Sequence, residues 1–342
     1  MTRRAWFFLG VAGAAGCRRA AGRRLNVLNW SNYVAPDTLG KFRAETGIDV
    51  RYAVYESNEE MLARVMSGNS GWDVVFPSHY FIGPMRELRL LAPVDSAAFR
   101  GIDNLENRFR RPPWDPDLQW CVPYMWGCCG ILYNPRLVQP EPAAWADLWQ
   151  DRYRGRLTML DDPAEVFGAA LQMLGLPLNE SSEAGLRRAF EAAARQKPLL
   201  LAYLNTEVRD QIVAGDVAAC QAWATTAQQA IDAAPHLKFV FPREGFSLYA
   251  DCAAVLRESR RAAEARAFIE FLLRPDIAAE IVTACRAATA NAAARPLLPP
   301  SIAGLRTLFP APETLARGEW FQALPPRAQR LRDRLWTELK SG

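Results

Sequence analysis

Residues 25–76 read LNVLNWSNYVAPDTLGKFRAETGIDVRYAVYESNEEMLARVMSGNSGWDVVF, and this stretch decides the fold class of the chain. The run Leu25–Asn29 is rich in apolar residues and predicts a buried strand. A helix follows it, because Pro36 suits the first turn of a helix and Gly47 suits the position just after the last turn. The folded part of the chain therefore begins with a strand and a helix.

The same order is then repeated. Apolar side chains alternate along residues 48–54, which predicts a second strand. Ser57 and Glu60 have the spacing of a capping box for a helix that runs to Met66, and residues 72–76 predict a buried third strand. An order of strand, helix, strand, helix and strand predicts a parallel sheet with crossover helices.

A second α/β series follows a long predicted strand at Cys121–Asn134, which could carry the chain out of a first lobe. Its strands are predicted at 156–160, 199–203, 218–223 and 237–241, and its helices at 163–174, 182–194 and 207–214. An extended run at 247–256 and two helices at 261–273 and 275–285 complete the pattern.

These segments predict an α/β protein of two lobes with a cleft between them. The first lobe is expected to comprise residues 25–129 and 251–296, and the second to comprise residues 130–250 and 297–342. In open parallel sheets, ligands bind at the loops that follow the carboxyl ends of the strands. Functional side chains should therefore lie where the predicted strands end.

Residues 1–24 predict an export signal and a basic linker. Arg3 and Arg4 precede the apolar run Ala5–Ala15, which is too short to span a bilayer comfortably. The segment resembles a twin-arginine signal, and Ala14–Cys17 resembles a bacterial lipobox. Lipid attachment at Cys17 is favoured, and cleavage nearby with loss of Cys17 is the alternative. Both predict a protein that is periplasmic or anchored to the membrane on its extracytoplasmic side.

Charge and cysteine content exclude several function classes. Removing residues 1–24 changes the formal net charge from +4 to −2, because this segment holds six arginines and no acid. The basic pI therefore gives no support for a nucleic-acid partner. The six cysteines beyond Cys17 favour buried free thiols over disulfides, because most lie in apolar, strand-like contexts. With two histidines and no Cys-x-x-Cys spacing, neither a metal nor a cofactor is predicted.

Aromatic and acidic residues gather where the predicted strands end. They occur at Trp30–Tyr33, Ser78–Tyr80, Asp161–Glu165 and Trp223, and Tyr249–Asp251 lies within the extended run at 247–256. Aromatic faces can line the methylene groups of a flexible organic cation, and carboxylates can pair with its ammonium ends. This distribution indicates a site for such a cation.

Ordinary structural roles also account for these residues. Asp162, Pro163 and Glu165 make a good helix start, so the two acids could serve only as caps. The aromatic residues could belong to the core, and a nearby arginine could neutralise Asp251. The residues alone leave these alternatives open.

Several runs, in chain order, carry a resemblance to a known family. They are Asn29–Val34, Tyr55–Glu59, Trp72–Ser78, Pro123–Gly127, Trp145–Trp149, Asp161–Phe167 and Phe271–Asp276. On these runs, the chain resembles the periplasmic spermidine/putrescine-binding proteins of polyamine uptake systems over nearly all of residues 25–340.

The resemblance implies a type II periplasmic-binding-protein fold, in which two α/β lobes enclose a hinged cleft. It implies an aromatic box of Trp30, Tyr33, Tyr80, Trp223 and Tyr249, ammonium-binding acids at Asp162, Glu165 and Asp251, and polar contacts from Ser31 and Ser78. Two further ligand positions depart from the family pattern: Asn32 stands where an acid is common, and Phe321 stands where glutamine is expected. The missing carboxylate favours putrescine over spermidine.

The function implied by the resemblance is that of a transport receptor. The protein would capture a polyamine, close around it as a monomer and deliver it to an ABC permease, without catalytic residues. Alternatives are another small cationic solute in the same fold, or a ligand sensor for a membrane partner. An exported hydrolase is disfavoured, because the chain has no Gly-x-Ser-x-Gly motif and only two histidines.

Overall fold

The computed structural model describes residues 23–342, except for the side chain of Ala97. The strands are β1 (Arg24–Trp30), β2 (Asp49–Tyr55), β3 (Val74–Val75), β4 (Val122–Tyr133), β5 (Leu157–Met159), β6 (Leu200–Tyr203), β7 (Ala219–Trp223), β8 (Lys238–Val240), β9 (Phe246–Val255), β10 (Ala288–Thr289) and β11 (Gly318–Trp320). The helices are α1 (Thr38–Thr46), α2 (Asn58–Met66), α3 (His79–Glu87), α4 (Asn107–Arg110), α5 (Pro163–Met173), α6 (Glu183–Gln196), α7 (Val208–Ala214), α8 (Ala224–Ala233), α9 (Ala262–Leu272), α10 (Pro275–Cys285), α11 (Pro300–Ala303), α12 (Pro312–Leu315) and α13 (Pro326–Ser341).

The first lobe is the one that contains β1, β2 and β3. β1 pairs in parallel with β2 along its whole length, from Arg24 opposite Asp49 to Trp30 opposite Tyr55, and its centre pairs in parallel with β3. Helices α1 and α2 lie between these strands in the chain, so the predicted order and the parallel sheet are confirmed. β9 extends the sheet beside β3 in the antiparallel direction.

The second lobe is the one that contains β5, β6 and β7. β5 lies between β6 and β7 and pairs in parallel with both. β4 pairs with β7 and β8 in the antiparallel direction. Each of the four strands predicted for this series is present, with bounds within one residue of the prediction.

Two long buried strands join the lobes. β4 pairs with β9 from Val122 to Cys128 and with β7 from Cys129 to Tyr133, so its partner changes halfway along. All residues of β4 and β9 are buried. β11 runs parallel to the beginning of β9. The two α/β lobes predicted from the sequence are therefore present, and strands cross between them.

Side chains cap the N-termini of two helices that flank the cleft. Ser57 Oγ accepts a hydrogen bond from the Glu60 amide at 3.1 Å, and Asp162 Oδ1 accepts one from the Glu165 amide at 3.0 Å. The capping box predicted at Ser57 is only half formed, because the Glu60 carboxylate accepts the Glu56 amide at 2.9 Å instead. Both helices nevertheless begin where the sequence places their caps.

Six described helices are absent from the sequence analysis: α4, α11 and α12 are single turns of four residues, and α3, α8 and α13 are longer. α3 contains Pro84, which interrupts a helical pattern, and α8 follows β7 directly with no turn signal between them. α13 is polar on most of its surface and buries only the narrow stripe of Ala328, Arg332, Leu335 and Leu339. Tertiary packing, rather than a local signal, fixes these segments as helices.

The six cysteines among the described residues are free and buried, as predicted. They are Cys121, Cys128, Cys129, Cys220, Cys252 and Cys285. Cys17 and residues 1–22 of the predicted export signal lie outside the described part of the chain. None of the helices described is long and apolar enough to cross a membrane.

Gly130 in β4 is a position where a methyl group has no room. A Cβ atom there would lie 2.6 Å from a ring carbon of Phe239 and 2.6 Å from the Val240 carbonyl oxygen. We expect Gly130→Ala to lower the free energy of unfolding by about 1–3 kcal/mol, because the β8 backbone must move. Chemical denaturation measures this change.

Gly40 in α1 offers the matched control. A Cβ atom there meets nothing within 4 Å, so Gly40→Ala should raise the free energy of unfolding by about 0.5–1 kcal/mol. Equal stability of the two variants would contradict the described packing of β4 against β8.

Candidate functional site

A cavity lies between the two lobes and encloses about 640 Å³, including the part that opens to solvent. All the ligand residues predicted from the sequence line it: Trp30, Ser31, Asn32, Tyr33, Ser78, Tyr80, Asp162, Glu165, Trp223, Tyr249, Asp251 and Phe321. The structure adds Glu56, Asn58, Thr206, Thr225, Thr226 and Gln229 to the lining.

Many of the lining residues follow the carboxyl ends of parallel strands in both lobes. In the first lobe, residues 31–33 follow β1, Glu56 follows β2, and Ser78 comes shortly after β3. In the second lobe, Asp162 comes after β5, and Trp223 ends β7. Because parallel strands end at one edge of a sheet, both lobes present these residues to the same cleft.

Asp251 is the most deeply buried acid of the cavity, with 1% of its surface exposed. It lies on β9 and accepts hydrogen bonds from the Tyr33 hydroxyl at 2.7 Å and from the Ser78 hydroxyl at 2.7 Å. Burial raises the pKa of Asp251 to about 7, although both hydrogen bonds favour the ionised form. Hydroxyl groups thus satisfy this acid, rather than the arginine that the sequence left as an alternative.

Glu165 lies in the first turn of α5 and is 4% exposed. Its carboxylate accepts hydrogen bonds from the Trp223 indole N–H at 3.0 Å and from the Ser247 hydroxyl at 2.7 Å. Burial raises the pKa of Glu165, and the charge of the neighbouring Asp162 raises it further. Asp162 caps α5, so its structural role is confirmed, and the same residue lines the cavity.

The polar wall of the cavity is acidic. Glu56, Asp162, Glu165 and Asp251 line it, and none of the lining residues is a lysine or an arginine. Buried carboxylates without a cationic partner carry a desolvation cost that a bound cation reduces. The described part of the chain holds no group of three or more side chains suited to a metal ion. The composition of the wall therefore favours an organic cation over an anion.

Aromatic rings form the apolar part of the wall. The ring centroids of Trp30 and Tyr33 lie 6.5 Å apart, and those of Tyr80 and Phe321 lie 5.2 Å apart. The Trp30 indole N–H donates to the Phe76 carbonyl oxygen at 2.8 Å, which fixes the orientation of that ring. Such faces attract the positive charge of an ammonium group and pack against methylene groups.

Tyr249 reaches the cavity across a glycine of the adjacent strand. A Cβ atom at Gly127 would lie 2.4 Å from the hydroxyl oxygen of Tyr249 and 2.6 Å from a ring carbon. Only a glycine at position 127 leaves space for the ring in this position. Gly127 thus shapes the cavity wall although it lies outside the lining.

His79 lies behind the cavity wall and does not line it. Its Nε2–H donates to the Phe321 carbonyl oxygen at 2.7 Å, and its Nδ1 accepts the Ala250 amide at 3.2 Å. The backbone donor fixes the neutral tautomer, and burial lowers the pKa of His79 to about 4. His79 is therefore a neutral link between α3 and the segments that cross between the lobes.

The sequence analysis missed six lining residues: Glu56, Asn58, Thr206, Thr225, Thr226 and Gln229. Glu56 directly follows β2, and the strand-end rule applied to β2 would have identified it. Asn58 acts through Ser78, donating to its hydroxyl oxygen at 3.0 Å and accepting its amide at 3.0 Å. Thr225 and Thr226 lie in α8, which has no clear sequence signal.

Comparisons with known proteins agree with this fold. The family model of bacterial extracellular solute-binding proteins matches residues 38–303. The spermidine/putrescine-binding periplasmic protein of Escherichia coli K12 is 34% identical over 316 residues, which covers 92% of this chain and 90% of that protein. The putrescine-binding periplasmic protein SpuD of Pseudomonas aeruginosa UCBPP-PA14 is 32% identical over 355 residues, which covers 98% of this chain and 97% of that protein.

A solved structure gives the same result for the fold. The spermidine/putrescine ABC transporter substrate-binding protein PotD of Streptococcus pneumoniae matches with a TM-score of 0.80 and 29% sequence identity. The match covers 93% of this chain and 99% of that chain. The two-lobed type II periplasmic-binding-protein fold predicted from the sequence is thereby confirmed.

We expect the empty protein to lose stability as the pH rises through the pKa of Asp251. Burial holds this pKa at about 7 in the folded state, whereas an unfolded aspartate titrates near about 3.9. The folded state therefore binds more protons between these values, and the associated stabilisation is complete below about pH 4 and lost as the pH rises through about 7.

Asp251→Asn does not titrate and should lack this part of the pH dependence. The measurement is the free energy of unfolding by denaturant for both proteins between about pH 5 and 8. Relative to the variant, the wild type should lose up to about 1.4 kcal/mol per pH unit. A difference between them that stays constant over this range would contradict the raised pKa.

Proposed function

The chain belongs to the bacterial extracellular solute-binding protein family, and on this basis we propose that it captures a polyamine and delivers it to an ABC permease. Its relatives include a spermidine/putrescine-binding and a putrescine-binding periplasmic protein. The family is one of solute transport rather than of enzymes. We accordingly propose that the protein works on the extracytoplasmic side of the membrane and carries out no chemistry.

The acidic and aromatic composition of the cavity carries the proposal. Asp251 and Glu165 are buried with neutral donors only, and no basic side chain lines the cavity. A polyamine supplies the missing positive charge at its ends, while its methylene groups can pack against the aromatic rings. An anionic solute would meet repulsion at each of the lining acids.

Contact from both lobes supports a role for the ligand in closing the cleft. Asp251 lies on a strand that joins the lobes and is held by Tyr33 and Ser78 of the first lobe. Asp162 and Glu165 belong to the second lobe. A ligand that binds both sets of acids favours the closed arrangement by its differential affinity for that state. The permease would then receive a closed, loaded protein.

We propose putrescine as the preferred ligand, ahead of spermidine. Asn32 and Phe321 both line the cavity without a charge, at positions where the sequence departs from spermidine binders. Another small cationic solute, which the test below also addresses, and a sensor role for a membrane partner are the alternatives.

The organisation of the whole chain completes the proposal. The lobes are proposed to divide into residues 25–129 with 251–296 and residues 130–250 with 297–342, because β4 changes its strand partner between Cys128 and Cys129. The protein is proposed to act as a monomer. Attachment through a lipid at Cys17 is also proposed, on the lipobox-like sequence of that segment.

Calorimetric titration tests the ligand class. Putrescine, spermidine, cadaverine and spermine are titrated into ligand-free protein, and we expect the tightest binding for putrescine. Tighter binding of spermidine than of putrescine would overturn the proposed preference but leave the polyamine class of ligand in place. If none of the four gives measurable heat, polyamine binding is rejected, and native mass spectrometry of freshly purified protein then identifies any other retained cation.

Asp251→Asn tests the role of the most buried acid. Removing this charge leaves an ammonium without its partner, so binding should weaken by about 2–5 kcal/mol. Asp216→Asn is the matched control, because Asp216 is exposed and lies outside the cavity lining. Unchanged putrescine affinity in Asp251→Asn, with normal folding, would exclude Asp251 from the ligand site.

A further inference from the structure

Glu56 is an acid of the cavity to which the preceding proposal assigns no role. β1 and β2 are adjacent parallel strands in which Trp30 pairs with Tyr55. Ser31 and Glu56 are therefore the first residues beyond the same rung of the sheet, and both line the cavity. Glu56 thus enters the cavity beside the loop that carries the uncharged Asn32.

The carboxylate of Glu56 is sparsely hydrogen-bonded within the protein. Among the described residues, the Glu56 carboxylate accepts one hydrogen bond, which the Ser31 hydroxyl donates at 3.3 Å. The carboxylates of Asp251 and Glu165 each accept two, at 3.0 Å or less. Because a carboxylate has about four acceptor positions, Glu56 keeps most of its capacity for a ligand.

A second acid stands close to Glu56 on the opposite lobe. The side-chain amide of Asn205 donates to the Glu56 carbonyl oxygen at 3.3 Å, and the Asn205 backbone amide donates to the Glu207 carboxylate at 3.0 Å. Partial burial raises the pKa of Glu56, and the charges of Glu207 and Glu60 add to this effect against the Ser31 hydrogen bond. A cation bound here would relieve the repulsion between the two lobes.

We propose that Glu56 is a specificity-determining residue that binds the outer ammonium group of the ligand, in place of the acid that position 32 lacks. This inference rests on the proposed polyamine function. One ammonium is assigned to the buried acids Asp162, Glu165 and Asp251, here called the inner acids, and the second to Glu56. The site then favours two cationic ends joined by an aliphatic chain, and an amine with one charged end uses only the inner acids.

A pair of ligands that differ in one end tests this assignment. Putrescine and n-butylamine have the same chain length, and butylamine carries a methyl group where putrescine carries its second ammonium. We expect Glu56→Gln to weaken putrescine binding roughly tenfold or more and to leave butylamine binding unchanged. Glutamine keeps the size of the side chain and its acceptor for Ser31, so the fold is retained.

The control is Glu87→Gln, because Glu87 is an exposed acid of the first lobe outside the cavity lining. It should leave both ligands unaffected. Equal losses for putrescine and butylamine in Glu56→Gln would show a general structural effect and overturn the inference. Unchanged putrescine binding in that variant would also overturn it.

A rescue variant decides the question if butylamine binds too weakly to measure. Asn32 has a φ of 55°, a conformation that aspartate also tolerates, so Asn32→Asp restores an acid at the neighbouring strand end. Added to Glu56→Gln, it should recover putrescine affinity at least in part, and failure to do so overturns the inference. Wild-type protein that binds no polyamine rejects the proposed function itself, which separates the two failures.

Discussion

The site depends on carboxylates that are buried without a cation from the protein. Asp251 and Glu165 are almost fully enclosed, and each is held by two neutral donors. Neutral donors orient a carboxylate but do not cancel its charge, so burial raises the pKa of both acids. A small cation with an apolar body relieves this cost, and the same constraint therefore sets the selectivity of the pocket.

This constraint ties the chemistry of the pocket to the arrangement of the lobes. Tyr33 and Ser78 reach Asp251 from the first lobe, whereas Trp223 reaches Glu165 within the second. His79, in its neutral form, links the backbone of β9 at Ala250 to that of Phe321 after β11. Opening the cleft would return water to these acids and lower the cost of their charge. Under the proposed function, a bound cation offsets the desolvation cost that closing the cleft adds.

Much of the fold was accessible from the sequence because its signals are local. Local strand signals placed the four strands of the second lobe within one residue, and Ser57 and Asp162 cap helices where predicted. The ligand residues identified from the strand ends and from the family resemblance all line one cavity. α8 and α13 lack such signals, and Thr225 and Thr226 were missed for that reason.

The sequence by itself determined the order of the main strands and of the helices with clear end signals, the caps at Ser57 and Asp162, and the positions where most strands end, because periodicity and capping act over a few neighbouring residues. Only the tertiary structure decided which groups share the pocket and how they are charged. Asp251 receives its hydrogen bonds from residues 218 and 173 positions away in the chain. Burial, donor geometry and the resulting pKa depend on such distant contacts, which no local pattern of residues specifies.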